Sequence, residues 1–293
     1  MFSIIGMLVV LGAIIGGFLM ERGKLLVLMQ PAELVIIGGA AIGTLLVANP
    51  LPIVIKIFKG ALGILKPSPY SKAFYLETLK MLNEFFAAGR KGGLDKLEAD
   101  VESPDKSPIL SKYPVFLANC HAVSFLCDTF RMVISGGVGA FEIDQLMELD
   151  IEVLHQESSV PVAALTTMAD SLPGLGIVAA VLGVVVTMGA LGGPPEEIGH
   201  KVAAALVGTF LGILLCYGFL GPVASFLTKQ NDAEAQYLQC LRVGMLAMIR
   251  GTAPRLAIEF ARRAIPSDLR PSFKEMEDGC KASPAAPPVQ EAA

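Results

Sequence analysis

Tryptophan is absent from this chain of 293 residues, and charge is scarce: 17% of its residues are Asp, Glu, Lys or Arg, against about a quarter in an ordinary soluble domain. Without Trp, anchoring at a bilayer interface falls to Tyr, Phe and Lys. Five cysteines (Cys120, Cys127, Cys216, Cys240, Cys280) form no CxxC pair, which excludes a zinc or disulfide framework as the organising device. His121, His155 and His200 are too far apart in sequence to suggest a metal site. The chain contains no P-loop, no HExxH and no GxSxG; these gaps argue against an enzyme and against a bound cofactor. The mild net charge of −4 gives nucleic acid no reason to bind.

What is present is apolar length. Hydrophobic residues make up 53% of the chain, unevenly distributed. Met1–Met20, Leu34–Ile55, Leu172–Gly193 and Val202–Thr228 carry no charge, and each reaches the roughly 20 residues needed to span a bilayer as a helix. The first lacks the basic start and small-residue cleavage site of a signal peptide, so it is expected to remain as a span. The fold class expected is all-α: a polytopic membrane protein with four transmembrane helices and a mostly helical cytoplasmic domain. The expected organisation is a first transmembrane hairpin over 1–55 (spans about 1–20 and 34–54) and a cytoplasmic helical loop over 56–170. A second hairpin follows over 171–228 (spans about 172–192 and 202–227), then a cytoplasmic C-terminal helix and disordered tail over 229–293. Lys and Arg set the orientation. Eleven fall between Lys56 and Asp170 and nine after Thr228, against two between Glu21 and Glu33 and one between Gly193 and Lys201. The positive-inside rule places both large segments, and both termini, in the cytoplasm.

The loop reads as helical, with Leu76, Leu79, Leu82, Phe85 and Phe86 at helical spacing. A glycine pair at Gly92 and Gly93 breaks that helix. Leu51 to Lys66, with interleaved lysines, suits an interfacial helix. The Pro/Ala-rich end, "KASPAAPPVQEAA", reads as disordered.

Ionisable groups mark ion pathways in membrane proteins, and the four windows have none; a self-sufficient channel is therefore not expected. Asp170 and Pro173 read as a helix cap with a first-turn proline. Pro222 lies well inside the fourth window and should kink it or free a carbonyl near residue 218. Thr209 faces a neighbouring helix or a wet cavity, or bonds back to its own helix. Small residues recur as Gly12 and Gly16, Gly39 and Gly43, and Gly176, Ala180 and Gly183, a pattern that favours close helix packing in an oligomer.

Two apolar hairpins around a charged loop, a late intramembrane proline and charge-free spans together resemble the flagellar motor stator family MotA (MotA/PomA), related to the ExbB and TolQ proton-channel proteins. The resemblance covers about residues 1–280. Its most specific parts are "ADSLPGLGIVAAVLG" (Ala169–Gly183), "VGTFLGILLCYGFLGPVA" (Val207–Ala224) and "AAGRKGGLDKLEADVESP" (Ala87–Pro104). It implies a homopentamer in the bacterial inner membrane around a MotB dimer that supplies the ion-binding Asp. It also implies that ion flow turns the pentamer against the rotor protein FliG. On matching positions, Arg90, Glu98 and Asp150 would face the rotor. Pro173 and Pro222 would couple ion flow to movement, and Thr209 and Asp170 would lie by the ion path. Ala180 falls where sodium-driven relatives carry Thr; an alanine offers no oxygen to a hard cation, so protons are expected and sodium less so. The alternative is an ExbB/TolQ-type subunit energising an outer-membrane process.

Overall fold

Runs of Leu, Ile, Val, Ala and Gly this long have no aqueous partner, and helices satisfy their backbone groups internally. The computed structural model describes residues 2–64, 68–189 and 192–282; residues 283–293 of the Pro/Ala-rich tail and Lys66 lie outside these. It contains helices and no strand among the described residues. Four helices are long and apolar enough to cross a membrane.

The helices are α1 (Phe2–Met20), α2 (Leu25–Leu28), α3 (Pro31–Ala48), α4 (Leu51–Gly63), α5 (Lys72–Gly92), α6 (Glu98–Glu102), α7 (Pro114–Leu117), α8 (Cys120–Ser135), α9 (Ala140–Met188), α10 (Pro195–Leu214), α11 (Gly221–Ile249), α12 (Pro254–Ala264) and α13 (Phe273–Ala282). A π turn at Leu215–Leu220 joins α10 to α11. Two compact units result: residues 1–67 with 157–231, and residues 68–156 with 232–293.

The unit boundary differs from the expected one at 170. Helix α9 runs without a break for 49 residues, and Val162, Leu165 and Ala169 are already buried among residues of the first unit, including Leu45, Val54, Ile37 and Ala41. Apolar side chains at helical spacing upstream of Asp170 carry the membrane-type packing further than the charge-free window suggests.

In the first unit, α4 buries Val54 and Ile57. It leaves Leu51, Ile55, Phe58 and Leu62 exposed, a three-sided helix rather than a two-sided one.

The second unit is built as an ordinary aqueous core. Ser71 caps α5 by accepting from the Phe74 N–H at 3.2 Å, and Asn119 caps α8 through the Ala122 N–H at 3.1 Å. Helix α5 ends at Gly93, whose φ of 83° is a left-handed conformation that a side chain would strain. Tyr75, Phe85, Phe86, Phe130 and Tyr237 are fully buried together. Phe85 and Phe130 meet edge to face at 5.0 Å, the arrangement their ring quadrupoles favour. Deep in this core the Tyr237 hydroxyl is matched by Thr78 at 3.1 Å. Burial pushes the Cys127 thiol up to about 11, which keeps it an inert packing residue.

Candidate functional site

Helices α9 and α10 approach closely in the first unit, at positions that lack side chains. A Cβ on Gly176 would meet the Gly208 carbonyl at 3.0 Å, the Gly212 Cα at 3.2 Å and the Thr209 Cα at 3.3 Å. A Cβ on Gly212 would lie 2.5 Å from the Leu172 carbonyl oxygen, and one on Gly183 would lie 2.6 Å from the Ala205 Cβ. Such contact brings dispersion and Cα–H···O contacts into play without any bulky side chain. The expected small face is present, with one change: Ala179, fully buried, takes the middle position between Gly176 and Gly183, and Ala180 is half-buried beside it. By contrast, Gly12, Gly16, Gly39 and Gly43 have nothing within 4 Å of a built Cβ, so the first two apolar helices do not use their glycines for packing within the chain.

Pro173 and Asp170 do not start a helix. Both lie some thirty residues inside α9, and Pro173 is an internal proline alongside Pro161. Helix α9 begins at Ala140, so Asp170 has no terminus to cap. Pro173 leaves the Ala169 carbonyl without its usual N–H partner. It sits one turn from the Gly176–Thr209 contact.

Pro222 has the expected effect on the backbone. The six residues before Gly221 form the π turn, in which the Gly221 N–H reaches the Cys216 carbonyl, five residues back. A Cβ at Gly221 would lie 3.0 Å from that same carbonyl oxygen, so the glycine is what lets the wide turn close. Pro222 then follows with no N–H to give, and the wide turn relieves the clash of its ring with the preceding turn. Helix α1 lies against this turn, with Val10 3.3 Å from a Cβ built on Gly218. The Thr209 hydroxyl, half-buried, makes no hydrogen bond among the described residues. Pro173, Ala180 and Thr209 are thus gathered around the α9–α10 contact, and Pro222 follows it at the π turn.

The charged positions belong to the second unit. Arg90 is exposed at the end of α5 and donates to the Gly251 carbonyl at 2.8 Å. Glu98 is exposed at the start of α6. The turn between them folds back so that Leu97 lies over Gly89, 2.8 Å from a built Cβ, which puts Arg90 and Glu98 at the same end of α5. Asp150, also exposed, is on α9 and shares no contact with either.

One residue escapes the charge-free windows. Glu33 lies in the first turn of α3 and is only 6% exposed. Its Oε2 is buried with no hydrogen-bond partner. A window counted from Leu34 begins one residue too late, because Pro31 starts the helix. The sequence signal was there: a carboxylate after a helix-starting proline, directly joined to an apolar run. It reads as an ordinary first-turn acid until its burial is known.

The profile "Motility protein A N-terminal" matches residues 4–93, and "MotA/TolQ/ExbB proton channel family" matches residues 121–240. Motility protein A of Escherichia coli is 43% identical over 96% of this chain and 96% of its own length. Chemotaxis protein LafT of Vibrio parahaemolyticus is 34% identical over 93% and 96%. The fold matches the C. jejuni MotAB structure with a TM-score of 0.76 at 20% identity, covering 92% of this chain and 98% of that one. It matches the flagellar MotAB stator complex from Bacillus subtilis with 0.72 at 23% identity, covering 96% and 98%. With identity at the level of the Escherichia coli protein across nearly the whole of both sequences, the chain belongs to the Motility protein A (MotA) family.

Proposed function

We propose that this chain is the stator subunit of a flagellar motor, working as a homopentamer around a MotB dimer in the bacterial inner membrane. On this reading the chain crosses the membrane four times, with the second unit and both termini in the cytoplasm, as the distribution of Lys and Arg favours. Protons, entering by way of the Asp on MotB, drive rotation against FliG.

The observation that carries this reading is the α9–α10 pair. Its backbones touch through Gly176, Gly208 and Gly212, and an internal proline interrupts each side, Pro173 in α9 and Pro222 after the π turn. Helices that meet without side-chain interlock can slide or tilt. Prolines and π turns are where such bending localises. On this reading Pro173 and Pro222 convert a charge change on the partner helix into movement, and Thr209 and Ala180 line the path. Asp170 sits at its cytoplasmic mouth. Arg90, Glu98 and Asp150 present fixed charges to the rotor, where exposed charge steers partners more than it stabilises the fold. The Motility protein A N-terminal match over 4–93 favours this over an ExbB/TolQ-type subunit.

The test is complementation. In a cell lacking its own MotA, the chain should restore swimming only with a MotB whose helix Asp is intact. Speed should collapse with a protonophore and ignore sodium. Swimming without MotB would refute the assembly, and speed that follows sodium would refute the ion.

A further inference from the structure

Glu33 puts a buried carboxyl into the first unit, and three elements converge on it. Its own helix, α3, packs on α10. A Cβ built on Gly208 of α10 would lie 2.7 Å from Glu33 Oε2 and 3.2 Å from the Cβ of Ala179 on α9. The missing side chain at Gly208 is therefore the space that the carboxyl fills. Ala179 is nine residues from the end of α9 at Met188, and Gly208 is thirteen from the start of α10 at Pro195. Glu33 itself stands two residues inside α3, which starts at Pro31, so the carboxyl is buried between the helices close to one end of the span that α3 makes.

Isolated carboxylates are costly in such a place unless they take up a proton or meet a donor or cation. No donor among the described residues reaches Oε2. A hard metal cation needs several oxygen ligands, and Gly208 and Ala179 supply no side-chain oxygen.

We propose that Glu33 is a proton-carrying carboxyl of this chain, a second station beside the Asp of the partner helix. The step is a proton transfer at Oε2: a hydronium on the entry side gives its proton to the carboxylate, leaving water. The carboxyl then releases that proton to a base further along the route, the partner's carboxylate, and returns to its charged form. Gly208 is the positioning residue that leaves room for the carboxyl. The proposal rests on the proton-driven reading above.

The experiment is infrared difference spectroscopy between acid and neutral pH on the intact complex with MotB in native lipid, paired with swimming assays. The wild type should show a titrating carboxyl band that Glu33→Gln, isosteric and neutral, removes. Glu33→Gln should insert normally and lose most of its swimming speed, while Glu33→Asp regains part of it. Gly208→Ala, which fills the cradle, should shift the same band. Superimposable wild-type and Glu33→Gln spectra, or unchanged swimming in Glu33→Gln, would overturn the proposal. If Glu33→Gln failed to insert, an unshifted band in Gly208→Ala would overturn it equally. Speed that follows sodium with the band intact would overturn the proton-driven reading and its route while leaving a titrating Glu33 standing, so the two failures are told apart.

Discussion

Single residues here act mostly by what they lack. Pro222 lacks an N–H, and Gly221 lacks the Cβ that would crowd the Cys216 carbonyl at 3.0 Å; together they hold the π turn. Pro222→Ala would restore the donor and let the turn tighten into regular α-helix. It should leave membrane insertion intact and abolish swimming, as should Pro173→Ala; normal motility in both would remove the prolines from the mechanism. A residue of the second unit shows the opposite case, in which a charge is fully used. Glu275 accepts from Lys72 at 2.8 Å and from the Ser272 N–H at 2.7 Å, and Ser272 Oγ accepts from the Glu275 N–H at 3.2 Å. This is a capping box at the start of α13 with a tie to α5. The Lys72 hydrogen bond, then the Ser272 groups, hold the Glu275 carboxyl down at about 2. A lowered folded value means stability present above the usual carboxylate range, about 4.3, and lost as pH falls through it toward about 2. Amide protection in α13, corrected for intrinsic exchange, should decline over that window, and Glu275→Gln should remove the dependence.

Among the elements, the α9–α10 pair has the least tolerance. Four positions on it have less than 3.1 Å of room for a Cβ: Gly176, Gly183, Gly208 and Gly212. Gly212→Leu must push the helices apart, with an overpacking cost of about 1–3 kcal/mol or more. On α3, a Cβ built on Gly39 meets nothing within 4 Å in the chain, so Gly39→Leu starts into open space. The expected outcome is loss of folded, detergent-stable protein for Gly212→Leu and retention of the monomer fold for Gly39→Leu, read by thermal unfolding. Equal melting of the two would mean that the close approach is not a constraint. Gly39, Gly176 and Gly183 stood out in the sequence within repeats in three apolar windows and Gly208 and Gly212 did not, and spacing alone could not separate the packed set from the open one. Contact depends on which face each helix turns to its neighbour, and uniformly apolar helices carry no amphipathic stripe to report it.

For the whole molecule, charge and apolar length are divided between two units that the chain passes between three times, at 67–68, 156–157 and 231–232. Arg90 and Glu98, at one end of α5, form the exposed pair to test against a partner. Arg90→Glu should weaken swimming without altering membrane levels, and a compensating charge reversal in FliG should restore part of it. Rescue by no rotor charge change would argue against electrostatic contact.

Helix content, the apolar spans and the Pro222 distortion were legible in the sequence, because length of apolar run and a missing N–H act locally. So was the family, carried by motifs that lie in the hairpin and the charged loop. The boundary near residue 157 was not legible, since α9 continues through it and only the packing partners of Val162 and Leu165 mark it. Nor was the mid-helix place of Pro173, because a proline after an aspartate looks the same at a helix start as within one. Four charge-free windows were the sequence's own determination. That a fifth feature, the Glu33 carboxyl, is buried beside them was decided only by tertiary structure: burial comes from Gly208 and Ala179, some 150 and more residues away in the chain, and no local pattern encodes a space left by a residue so distant.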